Sequence, residues 1–364
     1  MTLASATPVA GQKDDHAPHT VKVGEFTLTL RDVGRDDMAA MLALHTVVFG
    51  PHVDARWHAW KYGGATDQGH GQGVGAWHGD ELVAFCGGLP RTLWQKNRSL
   101  AGLQIGDVMV HPSWRGIFTR RGPFFHVSKR FYDSRLGAAP SRPFQLGFGF
   151  PSERHLRLAT MTGLLHDGGV IESLHWRAMH ATRLELPWHW RWQPLDPSDE
   201  RFEAATNAAW KSMLATASDE GLTIGQRDAS YLRWRYVDRP DATGPGVQKT
   251  FCYQFFELRR PWSKTPVGVA VLDVRSRAAH WLDWVGPVEL TPLALQACRL
   301  EARRAGASEL TAWASAAVAQ RLAQSGIERR VVWAGLGIPV ASDLKPEEIP
   351  RVRYWLMGGD TDFL

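Results

Sequence analysis

The sequence predicts an α/β protein, in the α+β sense, made of two successive units. Three observations carry this. Apolar strand-like runs alternate with helical stretches in both halves of the 364 residues. A strand, a basic glycine-bearing loop and a helix follow one another between Ile105 and Tyr132. A nine-residue stretch, DARWHAWKY at Asp54–Tyr62, returns as DASYLRWRY at Asp228–Tyr236.

Taken in order, residues 1–20 lack an apolar core and read as a disordered tail without a secretory signal. Phe26–Leu30 alternates Thr with apolar residues, a strand pattern. Asp36 and Asp37 open a helix that stops by Gly50-Pro51, and Asp54 caps a second one. Gly63–Gly75 is a glycine-rich connection; it leads into a strand, whereas a phosphate loop follows one. Val74–His78 and Leu82–Gly87 flank a hairpin turn. Strands follow at Leu89–Trp94, Leu100–Val110 and Phe144–Phe150. Ser152 caps a helix ended by Gly163, and strands near Leu165–Val170 and His175–His180 close the unit at about residue 185.

Residues 186–200 are rich in Trp and read as a linker whose indoles pack one unit on the other, with stacking on a sugar or base as the alternative. The second unit, 201–364, has strand patterns at Pro266–Val274, Ala279–Val285 and Leu310–Ala314. Helical stretches lie at Pro292–Ala305 and Ala316–Gly326.

Composition narrows the function. A net charge of +5 suits a small anionic ligand. There is no lysine-rich run, zinc spacing or RNA-binding signature, so neither nucleic acid nor a metal is expected. Cys86, Cys252 and Cys298 are odd in number and far apart, which reads as free thiols in a reducing, cytoplasmic setting. No apolar run approaches the ~18 residues of a membrane span.

The stretch IGDVMVHPSWRGIFTRRGPFFHVSKRFY carries the chemistry. Val108, Met109 and Val110 form an apolar strand end closed by His111-Pro112. Pro123 suits the first position of a helix, where its missing N–H costs nothing. Between them lie Arg115, Gly116, Ile117, Phe118, Thr119, Arg120, Arg121 and Gly122. Such a junction aims loop amides and a helix dipole at one spot, and phosphate is its natural occupant. Walker and dinucleotide-binding glycine patterns are absent here.

This stretch resembles motif A of the GNAT acyl-CoA-dependent N-acyltransferases. VHPSWRG at Val110–Gly116 is similar to the family's strand end and Arg-Gly pair, although the glycine spacing beyond it departs, with Gly122 as the candidate second glycine. The order of elements over about residues 21–185 also resembles the family's. The repeat then makes the whole chain similar to tandem GNAT proteins. The resemblance implies two mixed, mostly antiparallel twisted sheets flanked by helices. It implies acetyl-CoA or another acyl-CoA as co-substrate, held by Val108–Val110, Arg115–Gly122 and Ser152. It implies a small-molecule primary amine as acceptor, an amino sugar being one candidate. In the second unit Gly286-Pro287-Val288-Glu289 replaces the basic loop, so no cofactor is expected there.

Amine acylation by a thioester needs a base, donors for the oxyanion and a proton for the departing thiolate. Asp107, beside the strand end, is the candidate base, with a structural acid as the plainer alternative because Asp283 occupies the matching place. Glu153 is a further base. The family's tyrosine acid is missing, and His155 is the nearest titratable substitute. Two other classes stay open: a transferase using aminoacyl-tRNA, and a non-catalytic CoA-binding module.

Overall fold

The computed structural model describes residues 17–50, 53–63, 73–116, 121–137, 139, 141–177, 186–240, 252–275, 277–342 and 352–361. In the first half, β1 (His19–Val23) and β2 (Phe26–Asp32) form a hairpin, followed by α1 (Met38–Phe49) and α2 (Ala55–Gly63). A meander of β3 (Gly73–His78), β4 (Glu81–Gln95) and β5 (Arg98–Val110) comes next. Then follow α3 (Pro123–Arg135), β6 (Leu146–Gly149), α4 (Glu153–Met161) and β7 (Leu165–Arg177).

The second half opens with β8 (Arg191–Pro194), α5 (Arg201–Asp219), β9 (Thr223–Gly225) and α6 (Ala229–Leu232). A π-helical turn at Arg233–Val237 continues α6. Next come β10 (Tyr253–Arg259), β11 (Gly268–Arg275), β12 (Ala278–Val285), α7 (Thr291–Arg304), β13 (Glu309–Ser315), α8 (Ala316–Arg321), β14 (Arg329–Pro339) and β15 (Tyr354–Trp355).

Local sequence explains the element ends. Asp54 accepts the Trp57 amide at 2.9 Å and Asp228 accepts the Tyr231 amide at 2.9 Å, so the repeated stretch starts two helices with the same cap. Lys96 and Asn97 both take positive φ, the geometry of a tight hairpin between β4 and β5.

One mixed, mostly antiparallel sheet runs through both halves in the order β1-β2-β3-β4-β5-β6-β14-β7-β13-β12-β11-β10-β8. Leaving β1 aside, the path is symmetric about its middle. Each half sends its last long strand across: β14 lies between β6 and β7, and β7 between β14 and β13. In each half the neighbouring pair, β5 with β6 or β12 with β13, is parallel. The β5–β6 pairing covers only Gly102–Ile105 against Leu146–Gly149, and β5 runs on to Val110, which leaves a fork.

Several boundaries differ from the sequence reading. β1 begins at His19, inside the expected tail; residues 1–16 lie outside the described ones. Leu82–Gly87 and Leu89–Trp94 are one strand, β4. Gly87-Gly88 reads as a break, yet a Cβ at Gly88 would stand 2.9 Å from the Gln104 carbonyl oxygen, so the close crossing of β5 requires glycine there. The two strands expected at Leu165–His180 are one, described as far as Arg177. The stretch read as a linker carries β8, an edge strand; Trp190 is buried and Trp192 stacks on Phe256. Both indoles therefore pack within the second half.

Candidate active site

The phosphate-loop candidate sits at the open end of the fork. Arg115 donates from Nε to the Val110 carbonyl at 2.9 Å, which ties the loop start to the end of β5. α3 begins at Pro123, with Gly122 as its cap residue, and no side chain caps it. Its first-turn amides are therefore left for an anion. A Cβ at Gly116 or Gly122 would meet nothing within 4 Å, so the protein leaves room at both. Gly122 has φ −77°, open to any residue; what glycine offers there is space. Arg121 lies over the Phe125 ring at 5.0 Å. Ile117, Phe118, Thr119 and Arg120 lie outside the described residues. The described part suits a diphosphate: exposed cations, an uncapped helix start and open backbone.

Asp107 stands where β5 leaves its ladder. Phe85 pairs with Met109 but Gly87 with Gly106, so Asp107 and Val108 share one place opposite Cys86. Of the three strand residues expected to hold acyl-CoA, Val108 is in this bulge, while Met109 and Val110 face Phe85 and Ala84 in the ladder. Asp107 has φ +50°, a region that costs a non-glycine residue of order 1–3 kcal/mol and that gathers at functional sites.

The Asp107 carboxylate is bound by α2. Lys61 donates to it at 2.7 Å and Tyr62 at 2.5 Å, with the Lys61 side chain 2% exposed and that of Asp107 7%. Burial raises the Asp107 carboxyl, but the Lys61 charge and the two hydrogen bonds outweigh it and hold the group below the usual carboxylate range. A carboxylate held ionised is a weak proton acceptor, so the geometry favours an electrostatic role over that of a base. His45 is close enough to add a favourable charge, and the His58 ring lies 4.7 Å from Tyr62.

The other expected groups lie elsewhere. Ser152 caps α4, accepting the His155 amide. His155 packs edge-on against Phe124 at 4.6 Å, and burial lowers its pKa. A neutral imidazole accepts a proton more readily than it donates one, which weakens its part as the acid. Glu153 is 85% exposed and pairs with Arg157 at 3.0 Å, outside the Asp107 cluster. Lys61 and Tyr62 were not singled out from sequence. Their signal was present: the repeated stretch places Lys61 with Arg235 and Tyr62 with Tyr236.

The same helix meets its counterpart across the molecule. Trp60 Nε1 donates to the Trp234 carbonyl at 2.6 Å, and Trp234 Nε1 donates to the Trp60 carbonyl at 3.0 Å. Their rings stack at 5.4 Å. Reciprocal contacts of this kind mark a two-fold relation between the partners. Beside them lies a small cavity of about 60 Å³, with Lys61 and Tyr62 on one wall and Gln226, Ser230 and Trp234 on the other.

Comparison with known proteins agrees with this geometry. Residues 29–156 match the family model described as an acetyltransferase (GNAT) domain. No curated protein matches the sequence. Among solved structures, a probable N-acyltransferase from Enterococcus faecalis V583 aligns with TM-score 0.62 at 11% identity, over 88% of this chain and 73% of that one. A GCN5-related N-acetyltransferase from Kribbella flavida gives 0.60 at 15% identity, over 85% and 70%. N-myristoyltransferase of Saccharomyces cerevisiae with bound myristoyl-CoA gives 0.53 at 10% identity, over 97% and 91%. At these identities the likeness to the solved structures is one of fold. The first half thus carries the stretch that matches the acetyltransferase (GNAT) domain, and the chain has the GNAT fold along most of its length.

Proposed function

We propose that this protein transfers an acyl group from acyl-CoA, with acetyl-CoA as the first candidate, to a primary amine of a small molecule by direct transfer in a ternary complex. The bulge that sets Asp107 at φ +50°, inside the domain matched by the acetyltransferase model, carries this reading. The acyl-CoA supplies the activated thioester. Arg115, Arg121, Gly116, Gly122 and the start of α3 hold its pyrophosphate, and Val108 offers an amide to the reacting carbonyl. Asp107, kept ionised, draws the ammonium form of the acceptor, while Lys61 beside it disfavours that charge and helps release one proton to water; the neutral amine then forms the C–N bond as the C–S bond breaks, and the proton lost from the new amide nitrogen leaves with CoA as its thiol. Much of the rate then comes from holding amine and thioester together.

We also read the chain as a duplicated pair of units, of which only the first holds acyl-CoA. Support comes from the symmetric strand path, the equivalent caps and the reciprocal tryptophans.

The test is free-thiol release from acetyl-CoA and longer acyl-CoAs in the presence of an amine panel, with products identified by mass spectrometry. The reading expects amine-dependent release. Tight binding of acyl-CoA without transfer to any amine would make the protein a CoA-binding module. Transfer only from aminoacyl-tRNA would place it in the other enzyme class. The fold likeness to an enzyme holding myristoyl-CoA is the reason to include long chains.

A further inference from the structure

We infer that the cavity at the seam of the two halves is the acceptor site, and that it takes a polyhydroxylated amine carrying no other charge. The inference rests on the acyltransferase reading and adds the acceptor's chemistry and the second half's part in binding it. The cavity adjoins the Asp107 cluster directly, because Lys61 and Tyr62 both line it and both hold that carboxylate. An amine entering here meets Lys61 and Tyr62, the two side chains that hold Asp107.

The charge on the walls decides the class of ligand. Two cations line the cavity. Lys61 is matched by Asp107 at 2.7 Å. Arg91 is matched by Asp360 at 3.2 Å and also donates to Gln104 and Tyr231. Each cation therefore already has a buried carboxylate, and a phosphate or carboxylate on the ligand would have to compete with it. The rest of the lining is uncharged: apolar Leu89 and Pro90, the hydroxyls of Thr92 and Ser230, the Tyr231 hydroxyl that accepts from Arg91, and the Gln226 amide, whose nitrogen donates to Asp228 at 2.5 Å. Trp234 adds an indole fixed by its stack on Trp60 and by the hydrogen bond it donates to the Trp60 carbonyl. Hydroxyl and amide groups beside a rigid aromatic ring suit the alternating O–H and C–H surface of a sugar. The volume of about 60 Å³ admits the amine-bearing edge of a ring and leaves the remainder outside.

The experiment measures acceptor binding without turnover. Glucosamine, galactosamine and mannosamine are titrated into the full-length protein by ligand-observed NMR, with glucosamine 6-phosphate and glycine as comparators. Ser230, exposed on α6, is changed to Trp to fill the cavity, and Gln226→Ala removes the amide. Thermal unfolding and acetyl-CoA titration accompany each variant. The inference expects at least one of the three amino sugars to bind, Gln226→Ala to weaken it about tenfold, as loss of one hydrogen bond to a buried group does, and Ser230→Trp to abolish it. It expects acetyl-CoA binding to be unchanged in both variants. Should all three sugars fail to bind, or bind equally well to folded Ser230→Trp, the inference is overturned. Tighter binding of glucosamine 6-phosphate or glycine would overturn the neutral class. Sugar binding that responds to both variants in a protein that binds no acetyl-CoA would uphold the cavity and overturn the acyltransferase reading.

Discussion

Asp107 on β5 and Asp283 on β12 occupy matching places in the two halves, and their fates differ. Both stand at a bulge: the β11–β12 ladder skips between Val271 paired with Asp283 and Leu272 paired with Trp281. Each accepts a hydrogen bond from the tyrosine of the repeated helix, Tyr62 at 2.5 Å or Tyr236 at 3.1 Å. Beyond that they part. Asp107 has a strained backbone and a lysine partner that lines an open cavity. Asp283 is completely buried and takes Arg227 at 2.7 Å, and Arg227 also binds Asp360.

The C-terminal segment makes the difference. Met357 bridges to Ala314 at the end of β13, and the turn Gly358–Asp360 packs on β12 and β13. A Cβ at Gly359 would lie 2.0 Å from the Tyr236 hydroxyl and 2.5 Å from Asp283. Where β12 runs on past its pairing with β13, the turn Gly358–Asp360 fills the space, whereas the end of β5 adjoins Arg115 and Gly116. On the reading proposed above, one half would present a reactive edge; the other holds a buried polar seal.

The comparison can be broken by substitution. Arg227→Met should cost the most stability, roughly 3–5 kcal/mol, because it leaves the buried Asp283 carboxylate without its cation and Asp360 with Arg91 alone. Chemical denaturation measures it, and a loss below about 1 kcal/mol would mean that the seal is not closed in solution. Asp107→Asn should instead act on turnover, lowering kcat by roughly 10²–10⁴ with acyl-CoA affinity nearly intact. Full activity would return Asp107 to the structural role that Asp283 has.

Asp107 also has a pH signature. Its folded pKa is lowered, so its contribution to stability is full above the unfolded value of about 4 and disappears as pH falls through the folded one. The stability difference between wild type and Asp107→Asn should therefore be constant near neutrality and shrink only in acid. A difference that changes between pH 6 and 8 would contradict the Lys61 pairing.

The two-fold relation is sharpened by a double-mutant cycle. Trp60→Phe and Trp234→Phe should couple by roughly 0.5–3 kcal/mol, since each indole donates to the other's backbone. Smaller still are the loop cations. Arg115→Ala and Arg121→Ala should each weaken acyl-CoA binding up to about tenfold, less so at high salt.

The helix start at Pro123, the repeated helix and its aspartate caps were legible, because each depends on a few adjacent residues. What the sequence hid depends on partners far along the chain. The crossing of β7 and β14 brings together strands that no local pattern relates. β8 was taken for a linker because an edge strand four residues long has little periodicity to read. Lys61 was not singled out, since nothing near it in sequence reveals Asp107, 46 residues away. Gly359 and Asp360 carried no signal of the fork that they fill.

Calorimetric titration with acetyl-CoA tests most directly the claim that one half is open and the other sealed. The account predicts a stoichiometry near one, lost in Gly122→Val while the protein remains folded, because a side chain there takes up the space left for phosphate. A stoichiometry near two, or binding that survives both Gly122→Val and the Arg115→Ala/Arg121→Ala double change, would contradict it.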